Sequence, residues 1–134
     1  MANDDRTPLF TRGDEMRRQI LGDAWVDRSW ADADDTIQTF LGASTELLWG
    51  GIWTRDGLDL KYRSLVTVVI LAVLGRQKEL KPHLIGALRL GWTPQELQEA
   101  MLHVATYAGY PQGLEAMRVV SETLAQETGA RPAR

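Results

Sequence analysis

Apolar residues recur every three or four positions along most of the chain, in stretches separated by glycine, proline or acidic clusters, and this is the period of amphipathic helices. From Asp14 the positions Met16, Ile20, Leu21 and Ala24 form one stripe, interrupted by Gly22 and ending near Trp30. The acidic segment ADADDT supplies capping residues for a second helix, in which Ile37, Phe40, Leu41, Leu47 and Leu48 recur before Gly50-Gly51 stops it. A third helix is predicted from near Asp59 to Leu74, closed by Gly75. Its β-branched run Val66-Thr67-Val68-Val69-Ile70 would suit a buried strand, but a stretch of about sixteen residues without a turn signal exceeds a usual strand. A helix apolar on every face belongs at the centre of a helical domain.

Leu80, Leu84, Ala87 and Leu88 mark a shorter helix ending at Gly91, in which Pro82 is expected to lie in the first turn. Thr93-Pro94-Gln95-Glu96 is a capping box with proline at the first helical position, opening a helix that ends at Gly109. A last helix, from about Gln112 to Thr128, turns Leu114, Met117, Val120, Ser121 and Leu124 inward. The expected fold is all-α, with about six helices in one domain spanning residues 1–134. Residues 1–12 and 129–134 carry proline, glycine and charge without periodicity and are expected to be disordered tails.

The net charge of −3 gives no basic face for neutralising phosphates, so a nucleic-acid partner is not expected. The absence of cysteine removes disulfides, thiolate metal sites and thiol redox chemistry. The polar N-terminus is no signal peptide and the longest apolar run, Leu65–Leu74, is too short to span a bilayer, so a cytoplasmic protein without a membrane partner is expected.

The unusual chemistry gathers in WGGIWTRDGLDLKYRSLVT, residues 49–67. Trp49 and Trp53 bracket two glycines, and Arg55, Lys61 and Arg63 follow. Aromatic walls with guanidinium forks suit a small anionic, unsaturated ligand; the same residues also stack in ordinary cores and subunit interfaces. Arg63 shares a face with Thr67 on an apolar helix, where a guanidinium must meet either an internal carboxylate or a ligand anion. The chain has two histidines. Glu99, His103 and Tyr107 fall at i, i+4 and i+8, a polar file in which a carboxylate one turn away could orient the imidazole for proton transfer, or simply form a boundary ion pair. His83, on the stripe of Leu80, Leu84 and Ala87, is either a satisfied core histidine or a site residue. No HxxxH or HExxH pair supports a metal, and no GxGxxG, P-loop or GxSxG supports nucleotide binding or a serine nucleophile.

The segments Leu21-Gly22, Val26-Asp27-Arg28-Ser29, WGGIWTRDGL, LDLKYRSLVT, ELKPHLIGAL and PQELQEAMLHVATYAGYP resemble the gamma-carboxymuconolactone decarboxylase family across nearly the whole chain. The resemblance implies an alkylhydroperoxidase-like helical fold, a ring oligomer that is a trimer or hexamer, a small lactone acid as substrate, and no cofactor. Arg63, with Arg55, would anchor a substrate carboxylate, Trp49 and Trp53 would line the pocket with Glu99 and Tyr107 in support, and His83 or His103 would protonate the product carbanion. His83 also takes the histidine position of the superfamily's CxxCxxxH peroxidase motif, but Arg76 and Glu79 stand at its cysteine positions, which excludes thiol peroxidase activity. Family members of the protocatechuate pathway usually read WGEIW where this chain has Trp49-Gly50-Gly51-Ile52-Trp53, NNG at Arg89-Leu90-Gly91, here followed by Trp92, and PAA at Pro111-Gln112-Gly113. These departures leave two alternatives open: a recruited relative that isomerises, cyclises or decarboxylates a larger aromatic or polyketide substrate, and a non-catalytic ligand-binding or scaffold ring.

Overall fold

A computed structural model describes residues 6–128, and the chain divides into two compact units, Met1–Asp59 and Leu60–Arg134. Among the described residues every regular element is helical, as the apolar period requires: seven α-helices and one π-helical stretch.

In the first unit, α1 (Pro8–Leu21) begins before the expected Asp14, because Thr7 caps it: the Thr7 hydroxyl accepts from the Phe10 N–H at 3.1 Å and Pro8 opens the first turn. Residues 8–12, expected in a disordered tail, are therefore helical, with Arg6 and Thr7 leading into them; residues 1–5 and 129–134 of the expected tails lie outside the described residues. Gly22, at φ 88°, breaks the first apolar stripe into α1 and α2 (Asp23–Ala31). Asp34 caps α3 (Asp35–Ser44), which runs into a π-helix, Thr45–Gly50, closed by a five-residue bond from Trp53 N–H to the Leu48 carbonyl at 3.0 Å. The π-helix lies against α1 through glycine: a Cβ at Gly13 would stand 1.8 Å from the Thr45 carbonyl oxygen and one at Gly50 would stand 2.2 Å from that of Leu9. The stripe of the second predicted helix is not covered. Phe40 is 69% exposed and Leu47 64%, and Ile37 and Leu48 are exposed as well, because no element of this unit lies over that face.

In the second unit, α4 (Leu60–Val73) confirms helix over strand for the β-branched run. Only one of its faces is buried: Ser64, Val68 and Ala72 point inward while Val66 and Ile70 are exposed. Gly75, at φ 69°, turns the chain so that Arg76 N–H reaches back to the Leu71 carbonyl at 2.9 Å, and the Gln112 side chain donates to the Val73 carbonyl at 2.9 Å. In α5 (Gln77–Arg89) Pro82 lies past the first turn to which the pattern confined it, leaving the Lys78 carbonyl without its usual helical donor. Thr93 caps α6 (Pro94–Ala108) as expected, accepting from the Glu96 N–H at 3.1 Å. Gly109, at φ 110°, separates it from α7 (Tyr110–Thr128), which starts two residues before the expected Gln112.

The core of this unit joins Val68 and Ala72 of α4, Leu80, Leu84 and Ala87 of α5, Leu97, Met101 and Val104 of α6, and Ala116, Val119 and Val120 of α7. The inward face of α7 is rotated from the one predicted. Val120 is buried and Met117 and Leu124 pack on the core, but Leu114 and Ser121 are exposed while Ala116, Val119 and Thr123 take their places. Gly113 fixes that rotation, since its absent Cβ would meet the Ala105 Cβ at 2.3 Å. No described helix is long and apolar enough to cross a membrane.

Candidate active site

α5 is held in the second unit by Leu80, Leu84 and Ala87, all 1% exposed or less, and this stripe fixes the rotation of the helix. His83, one position from Leu84, falls at the edge of the stripe and is partly buried. Loss of hydration pushes its imidazole down to about 4, so at neutral pH it is uncharged, a proton acceptor with an unfilled capacity for charge. Arg63 occupies the first turns of α4, the helix that packs on α5, and is also partly buried. Thr67, one turn on, donates its hydroxyl to the Arg63 carbonyl at 3.0 Å rather than to a ligand, which removes it from the anion-binding inventory. Beside Arg63, Ser64 is wholly buried, and its hydroxyl finds no hydrogen-bond partner among the described residues. Sequence reasoning passed over this serine; a single hydroxyl at an inward position of an otherwise apolar helix was the available signal.

The polar file on α6 has a different setting. His103 and Tyr107 are neighbours, with ring centroids 4.9 Å apart, and Tyr107 is 80% exposed. Glu99 and His103 are exposed too, and no hydrogen bond or ion pair joins them among the described residues, so neither the carboxylate-oriented imidazole nor the plain boundary ion pair is formed here. All three rim an open, mainly apolar groove of about 750 Å³ between α4 and α6, floored by Leu65, Val69, Ala100 and Val104. Trp92 also lines it. Its indole N–H donates to the Lys61 carbonyl at 2.7 Å, the Lys61 ammonium stands 4.5 Å from the ring centroid, and Tyr62 meets the ring edge-on at 5.8 Å. His83 and Arg63 are not among the groove's lining residues.

In the first unit Trp49 and Trp53 stack on one another, centroids 4.7 Å apart at 17°, and are only 6% and 5% exposed. Trp49 lies in the π-helix and Trp53 in the turn that follows it, while Gly50 lets the backbone close on α1. Gly51, where relatives of the protocatechuate pathway carry glutamate, is not a simple loss of a carboxylate, because a Cβ there would lie 2.4 Å from the Leu47 carbonyl oxygen. Arg55 is exposed in the segment that follows.

The family profile described as "Carboxymuconolactone decarboxylase family" matches residues 38–122, a span that contains every one of these candidate residues. The chain belongs to this family. Its enzyme class is that of the decarboxylases for which the family and its relatives are named. Over 123 residues, 92% of this chain and 91% of the relative, it is 37% identical to the 4-carboxymuconolactone decarboxylase of Acinetobacter baylyi. It is also 37% identical, over 116 residues covering 87% of this chain and 81% of the relative, to the nitrosuccinic acid decarboxylase of Metarhizium robertsii. An uncharacterized 15.0 kDa protein of Paracoccus denitrificans is 29% identical over 121 residues, 89% of this chain and 90% of its own. Within the family's span, the structure assigns the candidates to three settings: the partly buried His83 and Arg63 on paired helices, the exposed file on α6, and the stacked tryptophans of the first unit.

Proposed function

We propose that the chain removes CO₂ from a small unsaturated acid of the carboxymuconolactone type without a cofactor. The observation that carries this is the near full-length similarity, at 37% identity, to two decarboxylases whose named substrates share one chemical property. In nitrosuccinic acid a nitro group, and in carboxymuconolactone an unsaturated lactone, stands where it accepts the electron pair released when the carbon–carboxylate bond breaks. Such a substrate is its own electron sink, so the protein's work is to bind, desolvate and deliver a proton. For the lactone, the pair runs through the double bond onto the carbonyl oxygen, CO₂ departs, and a proton is added to the dienolate carbon.

Arg63 suits the retained carboxylate. His83 suits the proton delivery, but as a neutral imidazole it must first take up a proton. A substrate carboxylate at about 4 Å would favour the imidazolium by about 4 kcal/mol at an effective dielectric constant of about 20, roughly three pKa units, so that a substantial fraction of His83 is protonated near pH 7 only when substrate is present. The departures at Gly51, Leu90 and Trp92 favour a second reading, in which the same chemistry acts on a different self-activated acid. A homo-oligomer, trimer or hexamer, accompanies either reading: the uncovered apolar faces of α3, the π-helix and α4 support it as contact surfaces, with Phe40, Leu47 and Ile70 each half exposed or more.

Purified protein incubated with gamma-carboxymuconolactone should bleach its ultraviolet absorbance, and nitrosuccinate should release CO₂ if the second reading holds. Absence of turnover above background with both overturns the proposal. Arg63→Ala should lower kcat/KM by about a hundredfold, with Arg63→Lys recovering part of it, because a charge-assisted bidentate contact contributes roughly 1.5–3 kcal/mol.

A further inference from the structure

A second cavity, about 550 Å³, opens in the first unit among α1, α2 and α3, and most of its walls lie in residues before the family's matched span. Two aromatic rings form a corner in it: Phe10 of α1 and Trp30 of α2, centroids 6.4 Å apart and tilted by 52°. Around them stand the carboxylates of Asp14, Asp27 and Glu46. Arg18 offsets only one of these charges. It is already shared by Asp14 at 3.0 Å, Asp27 at 2.8 Å and Asp23 at 3.3 Å, so the cluster around it keeps an excess of negative charge. Glu46 adds to that excess while accepting the Thr7 hydroxyl at 2.6 Å.

Of the described residues that line the cavity, the other cation is Arg6, in the segment just before α1. Its guanidinium stands over the Phe10 ring, 5.2 Å from the centroid, so the protein itself places a cation on the aromatic wall of the cavity. That side chain is exposed and belongs to no helix, which makes it easy to displace.

We propose that this cavity binds a small organic cation, an ammonium carried on an aromatic or apolar body, and that Arg6 is its built-in competitor. The ammonium takes the place of the Arg6 guanidinium over Phe10, its body lies along Trp30, and the carboxylate excess retains the charge. Displacing Arg6 leaves the cavity more acidic by one charge, so the site that opens is more selective for cations than the closed one. An anionic molecule of the size of the family's substrates is repelled by the same field, which separates this site from the decarboxylation chemistry of the second unit.

Isothermal titration or saturation-transfer NMR with phenethylammonium chloride, run in parallel with 3-phenylpropanoate, reads the site directly. Saturable binding of the amine, weakened by added salt, with the carboxylate bound far more weakly, is the expected result. Arg6→Ala, at an exposed position outside the helices, should tighten amine binding by about two- to five-fold through loss of the internal competitor. Trp30→Leu and Asp27→Asn should weaken it, with far-UV circular dichroism confirming that each variant keeps its helices. Equal binding of the two probes, no saturable binding of the amine, or an Arg6→Ala variant that binds no more tightly than wild type overturns the proposal.

Discussion

His83 links stability, binding and chemistry at a single residue. With its folded pKa near 4 against about 6.5 in an unfolded chain, the unfolded state binds more protons between those two values. Stability from this group is therefore complete above about pH 6.5 and is lost as pH falls towards 4, by up to about 3 kcal/mol. Chemical denaturation at pH 7 and pH 4.5 should show this slope in the wild type and a shallower one in His83→Gln; equal slopes would mean that the imidazole is not buried in the working protein. Binding has the opposite requirement. If the substrate's charge restores the imidazolium, calorimetry at pH 7 in buffers of different ionisation enthalpy should show uptake of about half a proton per site, and none with His83→Gln. A binding event with no proton uptake would move the proton-delivery role away from His83.

Among the elements, α1 and the π-helix depend on glycine for their approach. At Gly13 helix propensity alone would favour alanine by about 1 kcal/mol. The contact decides otherwise, because the new methyl group would stand 1.8 Å from a backbone carbonyl oxygen that has no side-chain freedom with which to yield. Gly13→Ala should cost about 2–3 kcal/mol or more, with the loss visible as a lowered thermal midpoint, whereas Gly57→Ala, where a Cβ meets nothing within 4 Å, should stay close to wild type. Equal midpoints for the two variants would show that the helices do not approach this closely. The same elements show what the pattern could and could not place. Caps such as Thr93 and breaks such as Gly109 were legible because they depend on neighbours in sequence. The π-helix was not, because Thr45–Gly50 carries no local signal of a wider turn; the tight seat against Leu9 and Gly13 accompanies it.

For the whole molecule, the uncovered apolar surface sets the expectation. Phe40, Leu47 and Leu74 are each more than 60% exposed, and Val66 and Ile70 add a second face on α4. Isolated apolar side chains on a surface are ordinary, but contiguous helix faces of this kind mark contact sites. Light scattering at micromolar concentration should report a closed homo-oligomer, and Phe40→Asp combined with Leu47→Asp should shift it towards smaller species while circular dichroism keeps its helical form. A stable wild-type monomer would remove the assembly from the proposed function.

The sequence by itself determined that this chain is helical, where most helices begin and end, and which family it belongs to, because period, caps and a near full-length pattern of residues are all properties of neighbours along the chain. It also named His83, His103, Arg63 and the tryptophans Trp49 and Trp53 among the residues worth watching. What tertiary structure decided is how those residues are poised. Only the packing of α5 into the second unit takes water from His83 and leaves it neutral, while Glu99, His103 and Tyr107, at an equally suggestive spacing, remain on an exposed rim. Spacing along a helix fixes which side chains share a face; how much water that face keeps, and so what its charges can do, depends on the other helices that come to lie against it.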